Sequence, residues 1–357
     1  MKILKKAMVF ASVLALSYNA ASGQLINAGV PAPAGAIIYS LPLTTVMLEV
    51  TAECESFVAG PYAMYAEKYL GIQARTESGD TYTIKAVKMY PAVEADPSLK
   101  VAVNLGSSKS ASANFLNFSS QGLIMASDTY GGTPFEWRFP SKAGDDIFAG
   151  AGVSQNLDSK TTTLYKTVRT AGGLEKVPVQ QSQIVEKSTE KKAEQTAALI
   201  FKLRQTRIDI ITGNTDATYS GEAMGAAIRE IDRLEKEYLS LFLGKSVKDT
   251  QRVRFDVTPK AGNERQMYIA FRISDSQGLQ PSSNMSGRPI VLELIPEGTV
   301  AAGGAALESA AKGRIYYREP VVVTARLLDG QKELLQTRFP VYQFGAIQSF
   351  PADIAVK

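Results

Sequence analysis

The chain has 357 residues with 39 Lys and Arg against 35 Asp and Glu, a single Cys and no His. Without His there is no Ser-His-Asp or Cys-His catalysis, no His-based acid–base work and none of the usual zinc hydrolase ligand sets. One Cys permits no internal disulfide, and P-loop, G-x-G-x-x-G and G-x-S-x-G patterns are all missing.

Residues 1–23 read as a secretory signal peptide. Lys2, Lys5 and Lys6 form a basic start, Ala7 to Tyr18 an apolar run, and Ala21-Ser22-Gly23 a small-residue cleavage site. The apolar run is too short to span a bilayer, and no later stretch is long enough to do so. Cleavage removes three Lys and no acid, so the net charge of +4 falls to +1. The basic balance therefore belongs to targeting and gives no support for nucleic-acid binding. An exported chain, in the periplasm or on the cell surface, is the expectation.

Residues 24–187 are expected to form a β-rich domain. From Val46 to Cys54, apolar residues alternate with Met47, Glu49, Thr51 and Glu53, which buries Cys54 as a small hydrophobe. A short helix follows at 61–70, with Pro61 at its start and Gly71 as its stop. Tyr62, Tyr65 and Tyr69 share one face of it. They are the candidate ligand-contacting residues, as an aromatic platform for sugar or peptide, against a plain packing role on the sheet. Strands are expected at Tyr82–Tyr90 and Leu99–Leu105. Residues 106–160 are rich in Gly, Ser and Ala, with Phe115, Leu116, Phe118 and Trp137 as scattered apolar anchors. Thr163–Val168 and Val177–Val185 read as a strand pair around Gly172-Gly173.

Residues 188–246 carry the strongest pattern, an antiparallel helical hairpin. Ser188 caps the first helix and Gly213 ends it; Ser220 caps the second and Gly244 ends it. Ala193, Ala197, Ile200, Ile208 and Ile211 fall on one face of the first helix. Ala227, Ile231, Leu234, Tyr238 and Leu241 form the stripe of the second. The connection alternates Asn214, Asp216 and Thr218, but Tyr219 and Gly225 stand where a calcium loop needs Gly and a bidentate Glu, so it reads as a plain turn. Arg204 lies inside the first apolar arc and Glu235 inside the second. Folding the hairpin about its loop brings Arg204 toward Glu235 or, nearer the rim, Glu230, which makes these three the candidate structural ion pair.

Residues 247–357 read as an antiparallel, sandwich-like β domain. Val253, Phe255 and Val257 alternate, as do Met267, Ile269, Phe271 and Ile273, then Ile290, Leu292 and Leu294. A further pair of strands turns at Asp329-Gly330. The fold class is thus α+β, two β-rich domains flanking a helical hairpin.

GPYAMYAEKYLGI at 60–72, the stretch from Lys192 through FKLRQTRIDIITG at 201–213, EYLSLFLGK at 237–245, GRIYYREPV at 313–321 and FPVYQFG at 339–345 resemble an uncharacterised, domain-of-unknown-function family of exported Bacteroidetes proteins. The resemblance spans most of the mature chain and brings no catalytic or binding residues with it. The expected function is that of an exported, non-enzymatic envelope protein that binds another envelope protein or supports structure. The alternative is a glycan-binding or glycan-processing protein that uses the tyrosine face. No cofactor and no metal ligands are expected.

Overall fold

The computed structural model describes residues 22–26, 36–104, 117–118, 124–125, 135–152, 156–170, 173–215, 220–262, 266–301 and 314–351. The leader reading rests largely on residues outside these, as do Phe115, Leu116 and the turn residues Asp216 and Thr218. In chain order the strands are β1 (Ser22–Ile26), β2 (Ile37–Val58), β3 (Gly79–Asn104), β4 (Asn117–Phe118), β5 (Ile124–Met125), β6 (Leu157–Thr170), β7 (Gly173–Glu186), β8 (Lys245–Val257), β9 (Met267–Ser274), β10 (Gly278–Gln280), β11 (Arg288–Pro296), β12 (Arg314–Arg318), β13 (Val321–Asp329), β14 (Lys332–Val341) and β15 (Ile347–Pro351). Helix α1 (Ala66–Leu70) follows β2, and α2 (Thr189–Thr212) and α3 (Gly221–Leu243) lie between β7 and β8. The chain is α+β and β-rich.

Two sheets form the body, in the orders β1-β3-β2-β8 and β10-β9-β11-β13-β14. β8, which follows the hairpin in sequence, pairs antiparallel along β2 from Val46↔Val257 to Val58↔Lys245. The sandwich therefore forms between the two halves of the chain, and the hairpin is an excursion out of the first sheet. The period-two pattern of β2 turns Val46, Leu48, Val50, Ala52 and Cys54 inward, all buried. They meet Phe271, Ile273, Ile290, Leu292, Leu294, Val323, Ala325 and Leu327 from the second sheet in one core. The two strands expected at Tyr82–Tyr90 and Leu99–Leu105 are one long strand, β3, which follows β2 through two irregularities of register.

β9 departs from the expected alternation. Met267 and Ile269 are exposed, whereas Ala270, Phe271 and Ile273 are buried. The register against β11 shifts between Ile290 and Val291, and a one-residue slip moves the strand's side chains to the other face. At the far end of the body, the small sheet of β12 and β15 packs on β2 and β3. Tyr39 there donates its hydroxyl to the Tyr316 carbonyl at 2.9 Å and accepts from the Tyr316 N–H at 2.7 Å. Burial pushes the Tyr39 phenol up to about 12.

The hairpin forms as its caps dictate. The Ser188 hydroxyl accepts from the Lys191 N–H at 3.2 Å, the Ser220 hydroxyl from the Ala223 N–H at 3.3 Å, and Gly213 closes α2 at φ +73. Ala193, Ala197 and Ile200 are buried against the body, but Ile208 and Ile211, expected on the same buried face, are 52% and 60% exposed. Only the first half of α2 rests on the body. Beyond Ile200 its neighbour is α3, so an apolar stripe at helical spacing is left in water.

Candidate functional site

Tyr62, Tyr65 and Tyr69 attach the hairpin to the body. Tyr62 is buried with its ring 5.5 Å from that of Phe242, and its N–H donates to the Leu241 carbonyl at 2.9 Å. Tyr65 and Tyr69 are half-buried and stand 6.4 Å apart, and the Tyr69 hydroxyl donates to Glu190 at 3.3 Å. Lys68 pairs with the same carboxylate. Gly60 permits the close approach, since a Cβ there would lie 2.3 Å from the Leu241 carbonyl oxygen. The three rings pack among Ala66, Ala193, Ala197, Ile200 and Leu241.

Arg204 and Glu235 meet between the helices, with Nε 2.7 Å from Oε1; the side chains are 35% and 10% exposed. Arg207 completes the cluster, with Nη1 at 3.2 Å from the second Glu235 oxygen and 2.6 Å from Asp232. Glu230 stays on the rim and pairs with Arg233 of its own helix at 2.7 Å. The sequence reading did not single out Arg207, although it lies one turn from Arg204 and that spacing is the signal that could have found it. These charges hold the two helices together where the apolar contacts thin out.

A cavity with the dimensions of a ligand site lies elsewhere, on the open side of the sandwich. It has a volume of about 710 Å³. Its floor is Val253 and Phe255 of β8 with Ala270 and Leu279 of the second sheet. Trp137, Phe139 and Pro140 form one wall, and Gln280, Pro281 and Ser282 the other. Trp137 and Phe139 are 55% and 68% exposed.

The aromatic wall is a strap pinned to β8. Arg138 and Arg252 exchange backbone hydrogen bonds at 3.0 and 2.8 Å. The Asp249 carboxylate accepts from the Ser141 N–H at 2.9 Å, the Ser141 hydroxyl at 3.0 Å and Arg138 Nη2 at 2.7 Å. Together with the Thr250 N–H, these donors hold the Asp249 carboxyl well below the usual carboxylate range. Lys142 anchors the far end on Asp80 at 2.8 Å, and that hydrogen bond lowers the Asp80 carboxyl. Phe135 lies over the Arg254 guanidinium at 4.7 Å and meets Trp137 edge-on at 5.8 Å.

Across the cleft, Gln251 ties the two sheets together. Its Oε1 accepts from the Leu279 N–H at 2.9 Å, and its Nε2 points to the Leu279 carbonyl at 3.5 Å. Gly278 sits at φ +75 with no room for a side chain, because a Cβ would lie 2.3 Å from Gln251 Oε1 and 2.7 Å from the Tyr82 ring. This contact caps the β10 edge. The β8 edge stays open further along. The backbone groups of Arg252 face outward to Arg138, so those of Arg254 and Asp256 face outward too. Among the described residues they have no backbone partner.

Charge in the cleft is largely neutralised. Arg254 Nη2 donates to Glu49 at 2.9 Å and to the Tyr90 hydroxyl at 3.1 Å. Burial works against charge on Glu49, but the hydrogen bonds from Tyr90 and Arg254 outweigh it and lower the carboxyl. The Arg254 Nε is buried without an acceptor. No group of three or more metal-ligating side chains occurs among the described residues. The arrangement presents flat apolar rings, prolines, amides and open main-chain groups, which are the means of binding an extended ligand. In the sequence Trp137 stood out only as an apolar anchor in a featureless stretch, because its strap is held by Asp80, Asp249 and Arg252, all far from it in the chain.

Fold and cleft define a β-sandwich protein with a projecting helical hairpin and an open aromatic groove. The chain belongs to the family described as Domain of unknown function (DUF4831), whose profile matches residues 35–135 and 151–357. No curated protein and no solved structure matches it.

Proposed function

We propose that the protein is an exported, non-enzymatic envelope protein that binds an extended polypeptide of a partner in the aromatic cleft. The carrying observation is the pairing of exposed Trp137 and Phe139 with the open β8 edge at Arg254 and Asp256. Main-chain groups on a strand edge recognise another backbone, and apolar pockets beside it select side chains. Export is supported by the leader read at residues 1–23, with a mature chain starting at or near Gln24. No helix of the described residues is long and apolar enough to cross a membrane.

Tagged protein recovered from the envelope fraction tests this reading, once N-terminal sequencing has shown the start at Gln24. Wild type is expected to retain a partner protein that Trp137→Ala and Phe139→Ala both lose. Equal retention by the variants overturns the cleft as the site. The exposed rings also favour a second reading, a glycan laid on Trp137. Quenching of Trp137 emission by envelope glycans, with no protein retained, would replace the first reading with the second.

A further inference from the structure

We infer that β6 is an assembly edge, which pairs antiparallel with β6 of a second copy of this chain. The ribbon of β6 and β7 forms a sheet of its own, and every residue of β7 is exposed. A two-stranded ribbon alone in water is marginally stable, whereas three or more strands with an apolar face are not. This ribbon has such a face. Leu164 stands opposite Val179, with Val177 and Val168 beside them, all exposed on the same side.

The two edges differ. β7 carries Pro178 opposite Tyr165. Proline has no N–H, so it fits where that position faces outward, and there it blocks the edge to a further strand. β6 has neither Pro nor Gly from Leu157 to Thr170, and Thr161–Val168 is a run of β-formers with one charge. With the Tyr165–Pro178 pair unbonded, the odd-numbered residues of β6 turn their N–H and C=O groups outward. Ser159 agrees, since its N–H bonds the Asp158 carboxylate at 2.9 Å instead of joining the ladder.

A second copy of β6 satisfies that parity. Odd residues must face odd residues across a two-fold axis, which joins the aliphatic face of one ribbon to that of the other. A register centred on Thr163 sets Lys160 opposite the partner's Lys166, and one centred on Lys166 sets two Lys166 side chains face to face. Centred on Leu164, residues 158–170 overlap and every charge meets a neutral residue. Lys166 faces the partner's Thr162, Lys160 faces the partner's Val168, and Arg169 faces the partner's Ser159. The two Leu164 side chains meet on the axis, flanked by both copies of Val179.

Sedimentation velocity of the full exported chain across a range of concentrations tests this. The wild type is expected to shift from monomer to dimer as concentration rises. Leu164→Lys and Leu164→Asp each place like charges on the axis and are expected to weaken association about tenfold or more, and an equimolar mixture of the two to restore it. Thr163→Pro, which removes an outward donor from β6, abolishes the dimer, while Gln180→Pro on the β7 edge leaves it intact. A wild type that stays monomeric overturns the inference. So does a mixture of the two Leu164 variants that associates no better than either alone. Because Trp137 and Phe139 lie outside the ribbon, loss of the dimer and loss of cleft binding are separate results.

Discussion

The sandwich and the two arms that leave it use similar side chains to opposite ends. In the body, alternate residues of β2 disappear completely into a core that β9, β11 and β13 close from the other side. In the stretch from Leu157 to Leu243, a β ribbon and a helical hairpin carry Leu164, Val179, Phe201, Ile208 and Ile211 in the open. Period two and period 3.6 are present in both regions. What differs is whether a second layer lies opposite, and that is settled by chain connectivity far from the pattern itself. Amphipathic periodicity reports that a face is built to be covered and leaves open what covers it.

The sharpest way to break this comparison is to truncate one aromatic ring from each region. Phe271, fully buried and stacked on Phe255 at 4.8 Å, is expected to cost about 3–5 kcal/mol on Phe271→Ala. Phe201 on α2 is 49% exposed, and Phe201→Ala is expected to cost less than about 1 kcal/mol. Urea unfolding followed by circular dichroism measures both. Comparable losses would mean that the arm is covered in solution.

An intermediate effect is expected at the charge cluster between α2 and α3. Glu235→Ala strips Arg204 and Arg207 of a shared, nearly buried carboxylate and should cost about 1–3 kcal/mol. A fully desolvated pair would cost more, but Arg204 keeps a third of its side chain in water. Arg204→Ala should cost less than Glu235→Ala, because Arg207 still reaches the carboxylate. The double variant should lose less than the sum of the two, and strict additivity in that cycle would show that the arm's helices are held by packing alone.

The smallest effect concerns the strap. The Asp249 carboxyl is held below its unfolded value, so its contribution is complete above the unfolded pKa and is lost as pH falls through the folded one. Trp137 is the only Trp, so its emission reports on the strap directly. It should stay constant from neutral pH down to about 4 and change below that. Asp249→Asn should show altered emission already at neutral pH, while the melting temperature of the body moves little. A midpoint near pH 7 would point to a different anchor.

Local chemistry was legible wherever neighbours in sequence are neighbours in space. The caps Ser188 and Ser220, the stop at Gly213, the inward face of β2 with Cys54, and Arg204 set toward Glu235 all follow from helix and strand geometry over a few turns. The tyrosines at 62, 65 and 69 were equally visible as one face, but periodicity could not say that α2 and α3 would lie on it. Neither could it show that Ile208 and Ile211 run past the end of the body, or that a bulge opposite Ile290 turns Met267 and Ile269 outward. The cleft was the least legible feature. Trp137 and Phe139 acquire a role only when Asp249, Lys142 and Asp80 pin their strap beside a strand edge. Contacts of that range leave no periodic trace, because each is a single meeting of distant residues that only the closed tertiary structure brings about.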